Sequence, residues 1–143
     1  MMNTPGDFSD HAAGREMNYW FGGQQPPSAP GTLYVGLSIA SSFHNLGYLW
    51  EVNLFHPSAG YARVAIANIP ASWTAEDPRI RKNSAEIVFP VPTADWGKVR
   101  SWFLADAATD GNVIASGDLP EIVEIGNGQV APRFAVGALV FSK

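Results

Sequence analysis

The chain has no cysteine. Disulfides, thiolate metal sites and cysteine nucleophiles are therefore excluded, and the redox compartment is left undetermined. Charge is also scarce. Acidic and basic residues make up 15% of the chain, against about 25% in an average globular domain. A surface so poor in charge is weakly polar, and part of it is expected to be covered by partners. The net charge is −4 and no basic stripe is present, so the chain has little with which to neutralise phosphates, and nucleic-acid binding is not expected. No apolar run approaches the roughly 20 residues that span a bilayer. The opening MMNTPGDFSDH has neither a basic n-region nor an apolar h-region. No membrane contact and no signal peptide are expected, and folding in a cytoplasm is.

Catalytic constellations are missing as well. His11, His44 and His56 show none of the spacings that converge on a metal. Asp106, Asp110 and Asn112 fall short of a calcium loop, which needs a longer ladder of ligands and a bidentate Glu; they read as turn residues of a hairpin. There is no G-x-S-x-G elbow and no glycine-rich loop leading into a helix. Asp95 with Asp106, or Glu121 with Glu124, are the pairs that a glycosidase would need, but 13 acidic residues supply such pairs by chance. The expectation is a protein with no catalytic residue, no cofactor and no metal, and not an enzyme.

What the chain does have is core material: 46% hydrophobic and 12% aromatic residues over 143 positions. A domain of this size buries roughly 68–70% of its unfolded-chain surface. Residues 7–21 read as a short helix, capped by Ser9 or Asp10 and stopped at Gly22-Gly23. Gln24 to Gly31 carries three prolines and reads as an extended arm. From Thr32 onward the pattern is β: 32–40, 48–55, 61–69, 84–89, 98–106, 113–119, 121–125 and 133–141 are candidate strands. Residues 41–47 and 71–82 read as polar loops, the second carrying Trp73 and the charges Glu76, Asp77, Arg79, Arg81 and Lys82. Asp110-Gly111-Asn112 is a hairpin signal, because such turns need positive φ. About eight short strands with regular turn signals imply an all-β, antiparallel sandwich or jelly-roll-like body over residues 32–143, preceded by a helix and a Pro-rich arm over 1–31.

Several segments, in order, resemble a family of tailed-bacteriophage virion proteins described as tail-fibre-like or head-decoration-like. FSDHAAGREMNYWFGG followed by TLYVGLSIA is similar to that family's short helix and LYVGLS-type strand. GYARVAIAN resembles its G-Y-A-R-V strand. NSAEIVFPVPTADWGKVRSWFLADAATDGNVIASGDL follows its F-P strand, W-G corner and D-A-A-T-x-G-N hairpin, and NGQVAPRFAVGALVFS its closing strand. The resemblance implies a non-enzymatic virion structural protein assembled in the host cytoplasm, either a capsid decoration (cement) protein or a fibre-base protein. Its partners would be copies of itself, as a homotrimer, and the major capsid or tail proteins. A tail-fibre or receptor-binding module that recognises a host glycan is the alternative. Met17, Tyr19, Trp20 and Phe21 are the residues expected to dock the arm on a neighbour, and Trp73 is the candidate for partner or glycan contact. Trp50, Trp96 and Trp102 fit core packing, a subunit interface or a sugar platform, with packing preferred. Removing residues 1–28 is expected to abolish attachment and leave the β-domain folded.

Overall fold

The computed structural model describes residues 4–25, 28–41 and 50–142. The fold is all-β, with the expected helix near its start. Among the described residues ten strands form: β1 (Thr4–Phe8), β2 (Thr32–Ser38), β3 (Val64–Ala67), β4 (Trp73–Asp77), β5 (Ile80–Asn83), β6 (Ile87–Val88), β7 (Gly97–Ala105), β8 (Val113–Ile125), β9 (Arg133–Phe134) and β10 (Leu139–Ser142). Also among the described residues are the α-helix α1 (Asp10–Gly22), the single-turn α2 (Val52–Phe55) and a short 3-10 turn at Pro70–Ser72. Eight strands hydrogen-bond in the order β3-β2-β7-β8-β1-β10-β5-β4, and β6 pairs with β9 apart from them.

β1 is the corner of this sheet. Its first half, Thr4–Gly6, runs parallel to β10, and its second half, Asp7–Phe8, runs antiparallel to β8. A strand that changes partners along its length turns one half of a sheet over the other. The sheet curls so that Phe141 on β10 meets Trp102 on β7 edge-on at 5.2 Å, and Trp73 on β4 meets Phe141 at 5.3 Å. Between the two halves lies one core that includes Val35, Leu37, Val99, Trp102, Leu104, Phe134 and Leu139. A glycine is required at the corner. A Cβ on Gly6 would lie 2.3 Å from the Trp102 ring, so only a bare backbone can cross it.

Several boundaries differ from the sequence expectations. Residues 7 and 8 are strand and not helix, because β8 offers them a ladder; α1 then starts behind the Ser9 cap, whose Oγ accepts the Ala12 N–H at 3.1 Å. Gly23, at φ 64°, closes the helix. Residues 52–55, inside an expected strand, form α2, while Glu51 just before them bridges to Ser38 and is held by side chains described below. The expected loop 71–82 is the β4–β5 hairpin. Glu76 and Asp77 lie on β4, the edge strand, where charge blocks unwanted pairing. Arg81 and Lys82 lie on β5 between β4 and β10, and Arg79 N–H donates to Asp77 Oδ1 at 2.8 Å across the turn. The last expected strand is divided into β9 and β10 by Gly137, at φ 77°. The hairpin 106–112 forms as expected, with Asp110 at φ 51° and Gly111 at φ 76°. Residues 48 and 49 of the expected strand, His44, most of the loop 41–47 and part of the Pro-rich arm lie outside the described residues.

Candidate functional site

The segments that carry the family resemblance fold into one structural lock. Gly60, at φ 80°, turns the chain against Val91 and Thr93. Tyr61 then donates its O–H to Glu51 Oε2 at 2.6 Å and accepts the Leu37 N–H at 2.9 Å. Arg63 makes a two-pronged pair with Glu51, Nε to Oε2 and Nη2 to Oε1, both at 2.9 Å. These side chains are 2% and 6% exposed, so the pair is removed from water. The remaining Arg63 nitrogen donates to the carbonyls of Ala107 and Asp110 at 2.6 and 2.9 Å, which fastens the D-A-A-T-D-G-N hairpin. The guanidinium also lies 5.0 Å from the Phe103 ring centre. That ring covers Gly36 of the LYVGLS strand, where a Cβ would come within 2.2 Å of it.

The other motif residues act in the same way. Trp96 is fully buried and its indole N–H donates to the Ala59 carbonyl at 2.8 Å. Asn83 is buried; it donates to Ala85 and Ala135 and accepts the Leu139 N–H, which holds the β9–β10 turn. Asp95 Oδ1 accepts the Asn127 N–H at 3.1 Å, and Asp106 accepts two hydrogen bonds from Asn112 at 2.7 and 3.0 Å. Burial pushes the Asp106 carboxyl up, but the bonds from Asn112 outweigh it and hold it below its ordinary value. Each of these two carboxylates is thus committed to a turn. Among the described residues, no group of three or more His, Asp or Glu side chains could hold a metal ion, and no helix is long and apolar enough to cross a membrane.

Residues 7–142 match the family described as Podophage GP4 fiber I protein gp80. The chain belongs to this family. It is a bacteriophage virion structural protein. No curated protein matches the chain.

Family membership leaves one surface unaccounted for by the scaffold. No residue of α1 is buried, although the helix carries large apolar side chains. Met17 is 57% exposed, Tyr19 42%, Trp20 68% and Phe21 82%. Tyr19 and Trp20 contact each other edge-on at 5.3 Å. The four arm residues named from sequence therefore come together at the free end of one helix. Trp73 does not join them; it is half-buried against Phe141 and the core. A second exposed apolar group is Trp50, for which core packing was the preferred expectation; it is 46% exposed and stacks on Phe55 at 5.3 Å beside Leu54.

The lock itself has a titratable member. Burial first, then the Glu51 carboxylate, push the Tyr61 phenol well above its ordinary value. The folded protein holds that proton more tightly than the unfolded chain. The stabilisation is complete below the unfolded phenol's pKa of about 10 and is lost as pH rises from there through the folded value. Urea midpoints measured from pH 8 to 11 should fall above about pH 10, and Tyr61→Phe should flatten that part of the decline. An equal decline in the variant would assign it to other groups.

Proposed function

We propose that the protein is a non-enzymatic fibre or fibre-base subunit that works through contacts between subunits, with the end of α1 as its attachment surface. The observation that carries this reading is a helix of 13 residues with none buried and an aromatic cluster at its tip. Leaving such a cluster in water forfeits the roughly 1.5–3 kcal/mol that burying each large apolar side chain supplies, and contiguous exposed apolar patches mark interaction sites. The proposed partners are further copies of the chain, as a homotrimer, and the capsid or tail proteins on which the fibre stands. A capsid decoration protein would use the same surface to cement neighbouring capsomers; the family description favours the fibre position. Glycan recognition through Trp73 is not favoured, because its ring is engaged by Phe141.

The test is the double variant Trp20→Ser/Phe21→Ser. Both positions are exposed, so its urea midpoint should match the parent protein. Particles produced with it should lack the protein when their composition is measured. Normal incorporation of the folded variant would sink the proposal.

A further inference from the structure

We infer that the α1 tip of one copy seats in an apolar groove of another copy; this rests on the reading of α1 as an attachment surface and supplies the partner. The groove opens on the sheet at the corner strand, encloses about 280 Å³ and is lined chiefly by Phe8, Leu33, Trp73, Ile114, Phe141 and Arg81. It continues past Phe8, Arg81 and Phe141 into a second hollow of about 230 Å³ that is edged by Arg79. The floor is thus apolar and aromatic; Arg79 and Arg81 border it on one side, and Asp7 also lines the second hollow.

The α1 tip is the counterpart of that groove in shape of chemistry and in charge. Phe21 and Trp20 are the most exposed aromatic side chains among the described residues. The last turn of α1 has no basic residue, so the partial negative charge of the helix C-terminus, equivalent to about half an elementary charge, is uncompensated. Arg79 and Arg81 supply the opposite sign at the rim. Aromatic side chains that enter a pocket, with a charge at its border, are the usual form of an interface anchor. Phe8 of the corner strand borders the groove and also lies beside Met17 and Trp20, so tip and groove adjoin on each copy. Such a contact can be made once per neighbour around a ring, or twice across a two-fold axis.

This geometry predicts complementation between two variants. Trp20→Ser/Phe21→Ser lacks the tip and keeps the groove; Arg79→Glu/Arg81→Glu lacks the cationic rim and keeps the tip. All four positions are exposed, and circular dichroism would verify folding. Sedimentation velocity of the full chain should show a parent oligomer. Each variant alone should associate at least about tenfold more weakly, a loss of about 1.4 kcal/mol. An equimolar mixture should form a one-to-one dimer that grows no further, the intact tip entering the intact groove. A mixture that stays monomeric, or an Arg79→Glu/Arg81→Glu protein that assembles like the parent, overturns the inference. So does a monomeric parent protein. If in those cases Trp20→Ser/Phe21→Ser is still missing from particles, the attachment role of α1 stands and only the partner is wrong. If that variant enters particles normally, the attachment role itself fails.

Discussion

Arg63→Ala is expected to destabilise the protein by about 3–5 kcal/mol, a large part of the 5–15 kcal/mol that holds a typical domain together. The reason is the state in which it leaves Glu51. With its partner gone, the carboxylate stays 6% exposed, with only the Tyr61 O–H against it. The carbonyls of Ala107 and Asp110 lose their donor in the same step, and the 106–112 hairpin loses its fastening to the β2–β3 side of the sheet. Urea denaturation of the variant gives the number directly. Removing both charges, as Glu51→Gln/Arg63→Met, should recover part of the loss, because a buried pair costs more to break than to replace with matched neutral side chains. A loss under about 1 kcal/mol for Arg63→Ala would mean that the pair is open to water in solution and fastens nothing.

The lock was legible in part. Its backbone punctuation could be read directly: Asp110-Gly111 needs positive φ at both residues, and Trp96-Gly97 marks a corner that closes with Gly97 at φ 82°. β2 and β7 followed from alternation, since their ladder puts Leu37 opposite Trp102 and Val35 opposite Leu104. The Glu51–Arg63 pair was not read, though a signal existed. Between Glu16 and Glu76 these are the only Asp, Glu, Lys or Arg residues of the chain. Two opposite charges alone in so long an uncharged stretch have each other as the natural partner. Local pattern hid this, because Arg63 sits in an alternating run and Glu51 in what resembles a strand. α2 and the β4–β5 hairpin were missed for a related reason. Their conformations follow from what they touch: Glu51 fixed by Tyr61 and Arg63, and an edge position that welcomes charge. The exposed aromatic end of α1 was legible, because Met17, Tyr19, Trp20 and Phe21 precede a Gly-Gly stop with no apolar run before them to pack against.

Deleting residues 1–28 is expected to prevent folding, which reverses the sequence expectation that the β-domain would survive it. Thr4–Phe8, with one proline, one glycine and no alternation, does not resemble a strand in isolation. It is one because β8 and β10 need it between them. Its register joins Gly6 to Phe141 on one side and Phe8 to Ala115 on the other. Ser9 is fully buried, with its N–H on the Ile114 carbonyl at 2.7 Å and its hydroxyl on the Val113 carbonyl. Without the corner strand, the facing edges of β8 and β10 lose their ladder partners, and Trp102, now completely buried, loses the backbone that lies against it. Unsatisfied backbone groups at about 1–3 kcal/mol each and an uncovered tryptophan together exceed what a domain of this size can lose. The truncated chain should be insoluble, or soluble without a cooperative urea transition and without the near-ultraviolet signal of packed aromatic rings. A truncated chain that unfolds cooperatively near the parent midpoint would show the corner strand to be dispensable. The same reasoning separates folding from attachment within one segment. Residues 4–9 build the sheet, and residues 17–21 display the surface, so attachment has to be probed by substitution at Trp20 and Phe21 and not by truncation.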